Sequence, residues 1–425
     1  MYGKPGSSFI NAMEFDTGAG FPHNVAKSKV MDPCFREGFP HGTFRLRPEM
    51  RTRIAEAEKK LASGVRPGFV FNSSLKDEPI SEKKLALGKI RVFQAICIEG
   101  LFLLRKYFIT LIALFQNFNF VTEAAIGMDA TGPDWDDIHN HLNKPGWKIF
   151  CGDYSNYDQR MGSDEMLAAW GVLIDLAEFS GRYCSVSLLV MRTLASECCF
   201  PMVNFFGDFL LLNGTNPSGH ALTVVINSIV NSIYLRYAWI EIFGDLDGFD
   251  DNVRIMTYGD DNIVSVSPQV QDLFNQVTVT NALAKVGLVY TDAAKSGNDA
   301  KPFCDEGEIS FLKRSFVRGE EGFIRAPLEL KSIHKMLLIG VHSSKVQEED
   351  RLSSVLLSSL LEMFQYGRDA FNEHRSRVVA CADSYCLMSW IAAKGGFPSY
   401  DDILNNRLAK VSRKSMWDAV ANKGL

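Results

Sequence analysis

The sequence predicts an α+β protein in which a small antiparallel sheet is flanked by helical regions. Three observations carry this prediction. Strand signals cluster between residues 253 and 320, long helical periodicities fill 101–245, and the C-terminal third returns to helix from "SSVLLSSLLEMFQYGRDAF" onward. The chain has 425 residues, 46% hydrophobic and 22% charged, which is enough for a large core and two or three subdomains.

Charge and cysteine usage exclude some classes. The net charge of −5 announces no nucleic-acid partner, although a basic channel can lie hidden inside a near-neutral sum. Nine cysteines are scattered without a Cys-x-x-Cys pair, so neither a disulfide framework nor a zinc ribbon is implied and a reducing compartment is the default. The start, "MYGKPGSSFINAMEF", is neither a signal peptide nor a transit sequence.

The elements follow in chain order. Residues 1 to about 100 mix Pro, Gly and basic residues irregularly, with one charged helix around "EMRTRIAEAEKKLAS". "LFLLRKYFITLIALF", Leu101 to Phe115, is split by Arg105 and Lys106 and reads as a buried helix rather than a membrane span. His139 and His141 lack a Cys or carboxylate at zinc spacing and are expected in a surface turn. "WKIFCGD" reads as a strand ending at Asp153, and Asp158 is expected at the start of a helix. "NPSG" is a turn running into a long helix through Phe243, apolar at helical spacing with Asn and Thr interleaved. "DLDGFDDN" is an acidic turn without calcium-hand spacing. "MTYGDDNIVSV", Met256 to Val266, reads as a hairpin with Asp260 and Asp261 at its tip.

Two aspartates in a turn are weak evidence by themselves, and a solvated turn is the plainer reading. Asp153 changes the balance. A strand-end aspartate beside a hairpin-tip aspartate suits a pair of Mg²⁺ ions about 4 Å apart, bridged by carboxylates from separate segments. The Gly-containing turn before the long helix offers backbone N–H groups, with Ser218, Thr223 and Asn227 nearby. "KDEPISEKKLALGKIRVF", Lys76 to Phe93, is a solvated charged face when read alone. Beside a metal site it becomes a clamp for a triphosphate.

Taken together, these motifs resemble the RNA-dependent RNA polymerases of picornavirus-like viruses. "TGAGFP" (Thr17 to Pro22) resembles the motif that guides the template, and "KDE…GKIR" the motif that holds the incoming triphosphate. "DYSNYD", "PSGHALTVVINS" and "YGDD" resemble palm motifs A, B and C. "GLVYTDAAKS" resembles motif D and "FLKR" the primer-gripping motif E. Seven motifs in family order span about 300 residues.

The resemblance implies a right-hand architecture. Fingers would occupy 1–107 and 200–215, the palm 108–199 and 216–319, and a helical thumb 320–425, which carries no assignable motif beyond "FLKR". It implies Asp153, Asp260 and Asp261 as metal ligands for Mg²⁺, with Mn²⁺ able to substitute. Asp158, Asn227, Ser218 and Thr223 would read the ribose, and Lys76, Lys84 and Arg91 would hold phosphates. Lys295 would be the general acid for pyrophosphate. Thr17 and Gly18 would guide RNA, and Lys313 and Arg314 would grip the primer.

The implied partners are an RNA template and primer, ribonucleoside triphosphates, a small genome-linked protein primer and other viral replication proteins. The implied location is the host cytoplasm, at membrane-associated replication complexes of a positive-strand RNA virus. Two departures stand out. Ile80 occupies a position that is basic in many relatives, and only sixteen residues precede "TGAGFP", so part of the usual N-terminal fingers segment is expected to be lacking. A reverse transcriptase would block the 2′-OH with an aromatic where this chain has Asp158 and Asn227. A non-enzymatic RNA-binding relative would be expected to lose a catalytic aspartate, and none is missing. No Gly-x-x-x-x-Gly-Lys-Ser/Thr loop supports a helicase, and no nucleophile context supports a protease.

Overall fold

The computed structural model describes residues 3–4, 9–34, 43–293, 301–340 and 346–421. A four-stranded sheet lies at the centre. Its strands are β3 (Lys148–Tyr154), β6 (Val253–Tyr258), β7 (Asp261–Val266) and β8 (Tyr290–Asp292), in the order β8-β3-β7-β6, and every pairing is antiparallel. Two earlier strands, β1 (Val70–Leu75) and β2 (Val92–Ile96), join the hairpin β4 (Met202–Phe205) and β5 (Asp208–Leu211) in a second sheet ordered β2-β1-β4-β5.

Alternation along the strands explains the central layer. Phe150, Ile255 and Val264 point into one apolar cluster, and Cys151, Met256 and Ile263 into another on the opposite face. Helices α6 (Thr223–Phe243) and α7 (Gln276–Ala284) cover the first face, where Trp239 and Phe274 meet Phe249 edge-on. Helix α3 (Asp134–Leu142) covers the second, with Trp135 stacked on Phe316 at 4.5 Å. Each fully buried Val, Ile or Phe on these strands contributes about 1.5–3 kcal/mol. A one-residue register slip would turn both faces inside out, so the register is strongly fixed.

The helices α1 (Pro48–Ala62), α2 (Ile98–Asn117), α4 (Ser163–Phe179) and α5 (Ser185–Cys199) complete the large cluster around Trp170 and Phe108. The expected division at 107/108 falls inside α2, which runs without a break. The C-terminal helices α8 (Glu348–Phe364), α9 (Arg368–Ser384) and α10 (Tyr400–Leu408) form separate small clusters, one around Leu356 and Val378 and one around Phe364, Phe371 and Tyr400. Buried Arg407 fixes them to the centre, donating to Asp136 at 2.6 Å and to the Thr131 carbonyl at 2.7 Å.

Two sequence expectations need correction. Among the described residues, the first hundred hold four strands, Met31–Cys34, Thr43–Leu46, β1 and β2, where an irregular segment with one helix was expected. These strands are short, and β1 finds its parallel partner β4 about 130 residues away, so no local pattern announces the pair. His139 and His141 lie on the last turn of α3 rather than in a surface turn. Burial pushes both imidazoles down, His141 to about 4.

Candidate active site

The central sheet brings its acidic residues to one end. β6 and β7 pair from Val253↔Val266 to Tyr258↔Asp261, which leaves Gly259 and Asp260 as a two-residue loop. Gly259 has φ +65°, the left-handed conformation such a loop demands and one that a side chain resists. β3 pairs with β7 as far as Gly152↔Asn262, so one step further along the same register sets Asp153 opposite Asp261. Gly152 is needed there because a Cβ would lie 1.8 Å from the Tyr290 hydroxyl.

Asp158 joins the group from a single helical turn, Tyr157–Arg160. Its Oδ1 accepts a 2.7 Å hydrogen bond from the Asn227 amide. Burial pushes the Asp158 carboxyl up, and the charge of Asp260 pushes the same way. The Asn227 bond and the Arg91 guanidinium oppose that push. Negative charge is therefore concentrated at the sheet end, the condition that a divalent cation relieves.

Among the described residues, no three His, Cys, Asp or Glu side chains converge as a ready-made metal cage. The carboxylates that the register sets together suit a hard divalent cation that completes its shell with water and substrate phosphates. Hard carboxylate oxygens from adjacent strands are the donor set such an ion takes.

A buried polar layer supports the end of the sheet. Asn227, on the first turn of α6, accepts from the Asn216 amide at 2.6 Å, and its carbonyl accepts from the Tyr157 hydroxyl at 2.8 Å. His220 donates through Nε2 to Asn216 Oδ1 at 3.0 Å and accepts the Leu222 N–H, while its ring lies over Trp170. Burial pushes the His220 imidazole down to about 3. Gly219 lets this turn touch the second sheet, since a Cβ would come within 2.4 Å of the Gln94 carbonyl. Ser228, which follows Asn227 on α6, accepts the Gly259 N–H at 3.0 Å. Asn231 bonds the Gly259 and Asp260 carbonyls, each at 3.0 Å.

Sequence reasoning missed Asn216, His220, Ser228 and Asn231 as parts of the site. A signal was present for the last two. Polar residues recur at helical spacing in an otherwise apolar, buried helix, and each such group must find a partner.

The remaining expected residues fall into several groups. Ser218 is exposed on the turn before α6. Thr223 is half-buried at the start of α6. Its hydroxyl donates within the turn, to the Pro217 carbonyl at 3.0 Å or that of His220 at 3.1 Å, and accepts the His220 N–H. Lys76 and Arg91 are exposed and share Glu78 at 3.6 and 3.5 Å, and Lys84 is exposed on the short helix Glu82–Ala86. Thr17 and Gly18 are exposed, with the Thr17 hydroxyl bonded to Lys27. Lys313 sits at φ +60° in a tight turn, its exposed ammonium 3.2 Å from Glu329.

Arg314 is half-buried and engaged within the protein. Its guanidinium makes a two-pronged pair with Glu362 of α8 at 2.7 and 2.8 Å and donates to the Ala326 carbonyl. Those N–H groups are committed to holding the C-terminal helices. Lys295 lies outside the described residues.

The family model described as viral RNA-dependent RNA polymerase matches residues 5–382. The chain is 27% identical over 398 residues to the replicase polyprotein of Drosophila C virus, a match that covers 89% of this chain and 22% of that one. It is 30% identical over 406 residues to the genome polyprotein of Rice tungro spherical virus, covering 87% and 11%. The chain thus spans about a fifth or less of the length of these relatives. Among solved structures, the Sicinivirus 3Dpol RNA dependent RNA polymerase matches with a TM-score of 0.74 at 18% identity, over 96% of this chain and 80% of that one. That likeness establishes the fold.

Proposed function

We propose that this chain, a member of the viral RNA-dependent RNA polymerase family, copies an RNA template by transferring nucleotides from ribonucleoside triphosphates to an RNA 3′-OH. The observation that carries the proposal is the register that sets Asp153 beside the Asp260–Asp261 turn, with Asp158 and Asn227 joined at 2.7 Å next to them. The family uses divalent metal ions, and Asp153, Asp260 and Asp261 would hold Mg²⁺, with Mn²⁺ able to replace it. Bound there, the metals would activate the attacking hydroxyl and offset the charge of the pyrophosphate.

The chain's own residues supply the rest. Asp158 and Asn227 offer an acceptor and a donor at one point, which suits a ribose 2′-OH that is itself both. A site built to bond that hydroxyl disfavours deoxynucleotides. Arg91, Lys76 and Lys84 project cations from an open segment toward the phosphates, and the electrostatic reach of Arg91 to Asp158 supports that direction. Lys295, just beyond β8 in the chain, is proposed as the acid that protonates pyrophosphate. Lys313 is the cation left for the primer backbone once Arg314 is engaged.

We propose the division into fingers (1–107 and 200–215), palm (108–199 and 216–319) and thumb (320–425), with the first boundary better drawn at an end of α2. Template, primer, a genome-linked protein primer and other viral replication proteins are the proposed partners. Among the described residues, no helix is long and apolar enough to cross a membrane. Membrane association at cytoplasmic replication complexes is proposed to run through those partners.

Primer extension on a homopolymeric RNA template with Mg²⁺ tests the proposal. Extension with the complementary ribonucleotide, and little with the deoxynucleotide, is expected. Failure to extend with either, by protein that binds the primed template, would contradict it.

A further inference from the structure

Asn231 is fully buried on α6, one helical turn beyond Asn227. Its amide nitrogen faces the β6–β7 turn, 3.0 Å from the Gly259 carbonyl, 3.0 Å from that of Asp260 and 3.4 Å from that of Asp261. Its carbonyl oxygen faces the other way. It accepts from the Tyr154 hydroxyl at 3.3 Å and from the Asn262 amide at 3.2 Å. Asn262 in turn accepts from the Tyr290 hydroxyl on β8 at 2.7 Å. One side chain therefore bonds the turn that carries Asp260 and the residue that follows Asp153 on β3, and through Asn262 it reaches the strand at the sheet edge.

The chemistry of the position is restrictive. The carbonyls of a two-residue loop lie beyond the last ladder rung, so the strands do not satisfy them. The Gly259 carbonyl is buried here and that of Asp260 partly so, and an unmet buried carbonyl costs more than the bond would contribute. The site needs two N–H donors on one side and an acceptor on the other, at the reach of a short side chain. Asn provides this. Asp lacks the donors, Leu lacks both functions, and Ser has one donor and a shorter reach. Because peptide-plane tilt at residues 259 and 260 sets where the Asp260 carboxylate projects, the amide of Asn231 also sets that projection.

We infer that Asn231 is a positioning residue of the catalytic centre, whose buried amide ties the Asp260 turn to the Asp153 strand. The inference rests on the polymerase reading above. Asn231 touches neither substrate nor metal and acts through the two backbone segments it joins. Misplacement of reacting groups by about 1 Å can cost about 10²-fold in rate. Mg²⁺ requires near-ideal octahedral geometry, so it is the ion that should suffer most.

The test compares Asn231→Ser and Asn231→Leu with Leu235→Ala, a cavity variant one turn further along α6 that serves as the control for lost stability. Single-turnover incorporation is measured in Mg²⁺ and in Mn²⁺, with the thermal midpoint of each variant. Binding of Mn²⁺ to the protein–RNA complex is measured separately by the loss of the free-ion EPR signal, a readout that needs no turnover. Both Asn231 variants are expected to lose at least about tenfold in kcat with Mg²⁺, to recover part of it in Mn²⁺, to keep a near-normal nucleotide KM and to bind Mn²⁺ several-fold more weakly. Leu235→Ala is expected to lower the midpoint without changing the Mg²⁺-to-Mn²⁺ rate ratio.

The inference is overturned if the Asn231 variants show the wild-type metal ratio and Mn²⁺ affinity, or if Leu235→Ala reproduces their profile at an equal drop in midpoint. If Asn231→Leu fails to fold, Asn231→Ser alone decides. Asp260→Asn run in parallel separates the two readings. Full activity there would sink the polymerase site itself, whereas its loss alongside wild-type behaviour in the Asn231 variants would remove only the positioning role.

Discussion

Asp260 projects from a turn whose carbonyls are bonded by a fully buried asparagine, while Arg91 projects from an open segment and meets Glu78 at 3.5 Å. The first region is over-determined. Strand register, a left-handed glycine, Ser228 and Asn231 all fix the same two-residue loop. The second is loose. The Arg91 side chain is 68% exposed, and an exposed ion pair of that length is worth little. The difference teaches how the proposed reaction divides its work. Groups that must meet reacting atoms sit on rigid, buried scaffolding, and groups that gather phosphates sit where they can adapt. Damage to the first should appear in kcat, and damage to the second in KM.

Lys295 sharpens this contrast most, because its sequence position does not say which regime it belongs to. If it donates the proton to pyrophosphate, Lys295→Leu should slow chemistry at saturating nucleotide by at least about tenfold, with RNA affinity unchanged. A raised KM at normal kcat would instead group it with Arg91. The next largest effect is expected at the ribose pair. Asp158→Ala or Asn227→Ala should shift the ratio of kcat/KM for ribo- over deoxynucleotides downward by about tenfold, because the wild-type site gains a hydrogen bond only from the 2′-OH. An unchanged ratio in both variants would show that these residues do not read the sugar. Arg91→Ala should raise the nucleotide KM by about threefold to tenfold while kcat stays within about twofold. A fall in kcat of the size seen at Lys295 would break the division between the two regions.

The smallest effect concerns stability alone. Buried His220 is held neutral, with its imidazole pushed down to about 3, whereas in the unfolded chain it titrates near about 6.5. Below about pH 6.5 the unfolded state therefore binds a proton that the folded state refuses. Stability is fully present above that value and falls by up to about 1.4 kcal/mol per pH unit toward about pH 3. His220→Gln should flatten this slope, seen as a smaller shift of the urea midpoint between pH 7 and pH 5. Equal slopes in both proteins would contradict the buried neutral imidazole.

The carboxylates were legible in the sequence because local pattern fixes them. Alternation across "MTYGDDNIVSV" and "WKIFCGD" gives the strands, and the Gly-Asp turn gives the tip. The second sheet was not legible, since β1 and β4 pair across about 130 residues and only the folded chain brings them together. The pairing of Arg314 was not legible, because its sequence neighbourhood does not announce Glu362, which arrives from α8. The bond by which the Thr223 hydroxyl closes the turn before the helix was not legible either, because it depends on the turn's folded geometry. Asn231 was visible only as a polar residue in an apolar helix. Its role depends on which carbonyls lie across from it.

The most direct measurement of the central claim is single-turnover nucleotide incorporation by Asp260→Asn beside wild type, with RNA affinity measured on the same preparations. Asn is nearly isosteric but a poorer ligand for a hard cation, and the turn carbonyls keep their partners. The account predicts wild-type RNA binding and a loss of incorporation of at least about 10²-fold, since a two-metal site supplies several kcal/mol to the transition state. Incorporation within about threefold of wild type would contradict it.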